Sequence, residues 1–163
     1  MARRSETKTA NFELSEIDRR ILRALQEDGR MTIQAIADRV GLSSSPCLRR
    51  IRQMEEAGII GAYCALVDQE KVGLPVSVFI SIKLERQRST ELDEFGAAIR
   101  GWPEVMECYL MTGQYDFLLR VVCADLRAYE AFLRDNLTQL DGVRSIESSF
   151  ALGQLKYSRV LPL

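Results

Sequence analysis

Histidine is absent from the 163 residues of this chain. That removes the side chain most often used to move protons near neutral pH, and with it any Ser-His or Cys-His pair. No catalytic residues are expected, and the chain does not read as an enzyme. Cysteine is sparse and poorly spaced for metal: Cys47, Cys64, Cys108 and Cys123 stand singly, with no C-x-x-C pair. A zinc site needs close-spaced thiolates or imidazoles. No metal and no cofactor is therefore expected, and the four thiols read as free and buried, since reduced cysteine behaves as a small hydrophobe. Long apolar runs are missing as well. Val76–Ile82 is the most apolar stretch and Lys83 closes it, far short of the ~20 residues of a membrane span. The opening MARRSETKTANFE is basic but has no apolar core behind it, unlike a secretory signal. Residues 1–12 read as a flexible arm, and the chain as cytoplasmic with no membrane contact.

Net charge is only −1, yet it is unevenly spread. Residues 1–58 hold 11 Lys+Arg against 9 Asp+Glu, a net of +2, and residues 59–163 hold 11 against 14, a net of −3. A modest basic bias in the front part agrees with nucleic-acid contact there.

The most informative stretch runs from Thr32 to Ile60, TIQAIADRVGLSSSPCLRRIRQMEEAGII. Thr32 suits an N-cap, and Ile33, Ile36, Ala37 and Val40 follow at helical spacing on one face. Gly41 can take the left-handed conformation that ends such a helix. Leu42 fills the corner, and Ser43 is placed to cap a second helix through Ser44, Ser45 and Pro46, where proline removes no needed donor. At 100° per residue, Cys47, Leu48, Ile51 and Met54 gather on one side of that helix. Ser45, Arg49, Arg52 and Gln53 gather on the other, with Pro46 and Arg50 on its flank. A short helix, a tight turn and a basic second helix form the unit that enters the DNA major groove. Arginine suits the task because its planar fork grips phosphate, or guanine O6 and N7, with two hydrogen bonds. The candidate DNA-binding residues are Ser44, Ser45, Pro46, Arg49, Arg50, Arg52 and Gln53. Arg50 is equally readable as a structural partner of Glu55 or Glu56.

A first helix precedes this pair, with Ser15 and Asp18 in a capping pattern and Ile17, Ile21, Ala24 and Leu25 on one side. Gly58 stops the third helix, and Ile59–Val67 reads as extended chain supplying a β wing or an exit strand. The rest has a regular rhythm: a strand at Pro75–Leu84, a helix capped by Thr90, strands at Glu104–Thr112 and Phe117–Ala124. A long helix capped by Asp125 and a fourth strand at Val143–Lys156 complete it. The order β-α-β-β-α-β is the ferredoxin-like arrangement, with both helices on one face of an antiparallel sheet. Phe79, Tyr109 and Phe150 are the expected tenants of the open face, which makes it a candidate for pairing with a second copy. The fold class is thus α+β, an N-terminal winged helix-turn-helix plus a C-terminal ferredoxin-like βαββαβ domain. The expected divisions are an arm at 1–12, a DNA-binding domain at 13–61, a strand and linker at 62–75, and an assembly domain at 76–163.

Several motifs in this order carry a family resemblance from about Leu14 onward. They are Ile17-Asp18-Arg19-Arg20-Ile21-Leu22, Arg39-Val40-Gly41-Leu42-Ser43, Pro46-Cys47-Leu48 with Arg50-Ile51, and Glu56-Ala57-Gly58-Ile59-Ile60. Glu107-Cys108-Tyr109-Leu110 and Gly113-Gln114-Tyr115-Asp116 follow. On these the chain closely resembles the Lrp/AsnC family of transcription regulators. The closing Ser148-Ser149-Phe150-Ala151-Leu152, Lys156-Tyr157 and Leu161-Pro162-Leu163 look like members that regulate amino-acid breakdown genes. The resemblance implies homodimers that often assemble into tetramers of dimers, and a free amino acid as effector between dimers. Carried over, the effector position falls on Gly113, Gln114, Tyr115 and Asp116, with Ser148 from the last strand. Where the family often shows Thr-x-Thr or Thr-x-Ser, this chain has Ile146-Glu147-Ser148. The turn is alternatively a plain hairpin connection with Asp116 capping its own backbone.

The expected function is a sequence-specific DNA-binding regulator of amino-acid metabolism genes, with double-stranded DNA and a small amino acid as partners. Two rivals remain open: an effector-independent architectural DNA-binding protein, and a metabolite-binding ferredoxin-like protein.

Overall fold

A computed structural model describes residues 12–163, in two compact units. One runs to Leu66 and takes in Lys156–Leu163; the other is Val67–Leu155. Of the expected N-terminal arm only Phe12 is described, and it packs against the first unit's core.

The first unit is built on three helices, α1 (Glu16–Glu27), α2 (Ile33–Val40) and α3 (Ser44–Glu56). The Ser15 hydroxyl accepts from the Asp18 amide at 3.2 Å, and Asp18 Oδ2 accepts from the Ser15 amide at 2.9 Å. This reciprocal box satisfies two donors that a helix start leaves orphaned. Thr32 caps α2 through Ala35 N. Gly41 sits at φ 76°, so the chain turns there without a side-chain clash. Ser43 occupies the N-cap of α3 but its side chain makes no cap hydrogen bond. Ile21, Ala24, Ile36, Ala37, Cys47 and Met54 are wholly buried where the three helices meet. Each large aliphatic among them contributes about 1.5–3 kcal/mol by leaving water. The segment Lys156–Leu163 belongs to this unit as a strap on α1. Arg23 Nε donates to Leu163 O at 2.6 Å, and the Gln26 amide pairs in both directions with Leu161.

The second unit is a four-stranded antiparallel sheet in the order β2-β3-β1-β4, from β1 (Val76–Leu84), β2 (Val105–Leu110), β3 (Phe117–Cys123) and β4 (Val143–Phe150). Helices α4 (Ser89–Ile99) and α5 (Leu126–Asp135) complete the βαββαβ order. Val78, Ile80, Ile82 and Leu84 alternate along β1 into a core shared with Leu119, Val121, Phe95 and Phe132. The period of two is what a half-covered strand requires.

Several expectations are corrected. Residues 61–67 form no strand, because an extended segment becomes one only where a neighbour takes its amides, and none does so among the described residues. Helix α4 starts at Ser89 behind Arg88, and Thr90 bonds Glu91 instead of capping. The last helix is interrupted at Asn136 and resumes as a 3-10 turn at Leu137–Gln139. The fourth strand stops at Phe150, six residues before Lys156. Cys47 and Cys123 are buried as expected, but Cys64 and Cys108 are exposed. Phe150 faces the helices, its ring 5.2 Å edge-on from Tyr129. It pairs with Val78, a core residue, and directly opposed residues share a face. Phe79 and Tyr109 do lie on the open face, beside Arg120 and Leu118.

Candidate nucleic-acid interface and effector site

Helix α3 buries Cys47, Ile51 and Met54. The turn of the helix therefore exposes Ser45, Arg49, Arg52 and Gln53, as their spacing requires. Arg49 and Arg52 have no ion-pair partner among the described residues, leaving both guanidiniums available to an anion. A shallow depression follows this face, lined by Ser45, Leu48, Arg49, Arg52, Gln53 and Glu56. Leu48 is half-buried and floors that depression rather than joining the core. Pro46 is half-buried on the flank. At the other edge, Ser44 donates to Gln34 on α2.

Arg50 has another task. Its Nη1 donates to Asp18 Oδ1 at 2.9 Å and lies 3.3 Å from Ser15 Oγ. The partner is on α1, not Glu55 or Glu56 on its own helix. Asp18 is 1% exposed. Burial works against its charge, but the Ser15 hydroxyl and amide and the Arg50 guanidinium outweigh it, holding the carboxyl below its ordinary range. A single carboxylate thus closes the α1 cap and pins α3. The sequence showed the cap; it carried no signal for a bond spanning 32 positions.

The effector residues fare unevenly. Asp116 is 5% exposed and turned inward. Its Oδ2 accepts from the Leu84 amide at 2.8 Å, its Oδ1 accepts from Gln87 Nε2 at 2.6 Å, and Lys83 Nζ lies 3.5 Å away. Its own amide donates to Ile82 O at 2.8 Å. Asp116 is therefore a staple at the end of β1, neither a free anion for a ligand's ammonium nor a cap of its own turn. Ser148 sits opposite Ile80 and shares a hydrogen bond with the Tyr129 hydroxyl on the helix side of the sheet. Tyr115 bonds Glu147, which pairs with Ser81 on the other side. That hydrogen bond, with some desolvation, raises the Tyr115 phenol above its ordinary pKa. Within one chain, Ser148 and the turn do not converge. Gly113, at φ 114°, and Gln114 are exposed, and the amides of 112–115 donate to no backbone acceptor among the described residues. A separate depression lined by Leu137, Thr138, Leu140, Val143, Arg144, Ser145 and Ile146 includes none of the expected effector residues.

A helix-turn-helix unit with an open basic face, joined to a ferredoxin-like unit, defines a DNA-binding regulator. Residues 14–60 match a winged helix-turn-helix DNA-binding domain, and residues 77–161 match the Lrp/AsnC ligand binding domain. The chain is 46% identical over 151 residues to the Bkd operon transcriptional regulator of Pseudomonas aeruginosa, covering 93% of this chain and 99% of that one. It is 37% identical to the DNA-binding transcriptional activator DecR of Escherichia coli, covering 92% and 99%. A transcriptional regulator of Neisseria meningitidis, solved as an L-Met complex, superposes with a TM-score of 0.86 at 41% identity, covering 92% and 97%. The chain belongs to the Lrp/AsnC family of transcription regulators. It is a regulator and not an enzyme. No helix among the described residues is long and apolar enough to cross a membrane.

Proposed function

We propose that the protein reads operator DNA with the exposed face of α3 and responds to a free amino acid through its second unit. The observation that carries the first part is a pair of arginines, Arg49 and Arg52, with no ion-pair partner among the described residues, beside Ser45 and Gln53 on a helix whose opposite side is core. Ser44 and Pro46 flank that face, while Arg50 supports it through Asp18. A dimer would set two such helices in successive major grooves and favour a roughly palindromic site. In fluorescence anisotropy on a promoter fragment, Arg49→Ala and Arg52→Ala should each weaken binding by about 1–3 kcal/mol if they read bases. A phosphate ligand would instead weaken all sequences and flatten the salt slope. Unchanged affinity in both variants, with the fold intact, refutes the assignment.

The second part is supported by the match to a ligand binding domain and by the relative solved with L-Met. The amides of Gly113, Gln114 and Tyr115, which donate to no backbone acceptor among the described residues, would take a carboxylate, a reading supported by the open space at Gly113. Phe79 and Tyr109, both exposed on the open sheet face, supply apolar area for a second copy. Apolar or sulfur-containing amino acids should raise the melting temperature and shift the oligomer distribution; no response to any of the twenty at millimolar concentration overturns this. The architectural alternative predicts equal affinity for random and promoter DNA.

A further inference from the structure

We infer that Ser44 enters the DNA interface as a hydrogen-bond acceptor, set in that role by Gln34 and Asp38, and so selects adenine or cytosine on the strand it contacts. This rests on α3 being the reading helix. An ionised carboxylate offers only acceptors. Gln34 Nε2 donates to Asp38 Oδ1 at 2.7 Å, one turn along α2. That bond fixes which way the amide faces, with nitrogen toward Asp38 and oxygen away from it. Ser44, the first residue of α3, donates its hydroxyl proton to that oxygen, Gln34 Oε1. A serine hydroxyl has one proton and two lone pairs. Once the proton is committed, only lone pairs face outward.

The consequence is a polarity for the contact. Phosphate oxygens, guanine O6 and N7, and thymine O4 are all acceptors and gain nothing from such a hydroxyl. Adenine N6 and cytosine N4 carry protons in the major groove and fit it. Turning the hydroxyl outward would strip Gln34 Oε1 of its partner. Because Gln34 is exposed, water can replace that partner, so the preference is graded rather than absolute. One net hydrogen bond corresponds to roughly three- to tenfold discrimination. Gln34 and Asp38 are positioning residues in this scheme; only Ser44 touches the base.

Selection from a randomised DNA pool with the full chain tests the idea, at one fixed salt concentration. Blocking one amine's major-groove N–H at a time on the selected operator, with N6-methyladenine or N4-methylcytosine on a single strand, should weaken wild-type binding roughly three- to tenfold at one half-site position. That assigns the contacted strand and the adenine or cytosine it carries. Ser44→Ala should lose that sensitivity at that position alone. Gln34→Leu frees the serine proton and should move the preference on that strand toward guanine or thymine, an effect that mere loss of structure does not produce. Circular dichroism should be unchanged in both, since neither side chain belongs to the core. A Ser44-dependent position at which blocking the amine on either strand leaves wild-type binding unchanged overturns the inference. So does a Ser44→Ala variant with an unaltered profile, or one that loses affinity evenly with a flatter salt slope. Arg49→Ala and Arg52→Ala, run alongside, separate the failures. If neither arginine matters, the α3 reading itself falls; if they matter and Ser44 does not, only the polarity falls.

Discussion

Replacing Asp116 should unfold the second unit more readily, before any question of ligand arises. Asp116→Ala removes the acceptor of the Leu84 amide, which is buried, and abandons Gln87 and Lys83. An orphaned buried N–H costs about 1–3 kcal/mol. The Gln87 side chain is exposed and re-solvates, so its loss adds roughly 0.5 kcal/mol, at the low end for a hydrogen bond. The Lys83 pair, three-quarters buried on the lysine side, adds about 0.5–1 kcal/mol, near the upper end for a partly solvated pair. The sum is about 3 kcal/mol. Asp116→Asn keeps an oxygen for Leu84 but turns an N–H toward the Gln87 amide and Lys83, so about 1–1.5 kcal/mol is expected, close to one net hydrogen bond. The chain has one tryptophan, Trp102, which packs edge-on against Phe132 at 5.7 Å within this unit. Its fluorescence in a urea titration therefore reports this unit alone. With a urea slope of about 1–2 kcal/mol per molar, the Ala midpoint should fall by roughly 1.5–3 M. A shift below ~0.5 kcal/mol, which is the size of an ordinary surface change, would refute the staple. If such a silent variant also lost its response to amino acids, Asp116 would have to be a ligand group after all.

Arg50→Ala should destabilise the first unit by about 2 kcal/mol in a urea titration followed by circular dichroism, between the values for surface and buried pairs. Asp18 is the acid-side counterpart: its folded pKa lies below the unfolded one, so its contribution is full above the ordinary carboxylate range and is lost as pH falls through the folded value. Asp18→Asn should flatten the acid limb of the stability curve; an unchanged limb would contradict the pairing. The Tyr63 phenol is pushed up to about 12 by partial desolvation of a side chain that is still half exposed, and by its hydrogen bond to Glu55. Its neutral form is favoured by folding, so this contribution is intact below the ordinary tyrosine pKa of about 10 and fades as pH rises toward the folded value. The ultraviolet difference titration of wild type against Tyr63→Phe should show one phenol titrating near 12, and one near 10 would count against it. Leu163→Ala should loosen the strap at the first core by about 1 kcal/mol, half the value of a fully buried leucine. Faster amide exchange along α1 is the measurement, and unaltered exchange would show the strap to be idle.

What the sequence made legible follows from the range of each force. Caps and turns are local, so Ser15 with Asp18, Thr32 and Gly41 could be placed from neighbours alone. The faces of α3 followed from the helical period, apart from Leu48, whose angle lies between core and solvent. The succession of strands and helices along the chain was also readable, because short apolar runs are separated by turn residues and helical spacing. Local signals also failed where two residues competed for a cap, as at Thr90, which bonds Glu91 while Arg88 stands at the start of α4. The surroundings of Phe150, Asp116 and Ser148 are set by what stands opposite them in another strand or helix, and single-chain periodicity does not encode a partner. Residues 61–67 have strand-like composition, but composition cannot supply the neighbour that makes a ladder.

The same distinction explains how the candidate interface is made rigid. Its outward residues are local features of α3, yet their bearing is set by two bonds that cross helices. Arg50 reaches Asp18 on α1, and Ser44 reaches Gln34 on α2. The first is the stronger, since it joins a guanidinium to a carboxylate that is almost wholly out of water. The second is exposed and yields more easily. An exposed hydrogen bond contributes little to stability, so its presence at the first residue of α3 is better accounted for by what it does to the serine's proton. That ranking leads to a sharp expectation. Arg50→Ala should cost stability and, by loosening α3, weaken binding to every DNA sequence together. Gln34→Leu should leave the urea midpoint within ~0.5 kcal/mol of wild type and alter base preference at one position. If the two variants exchanged these phenotypes, the division of labour between support and readout would be wrong.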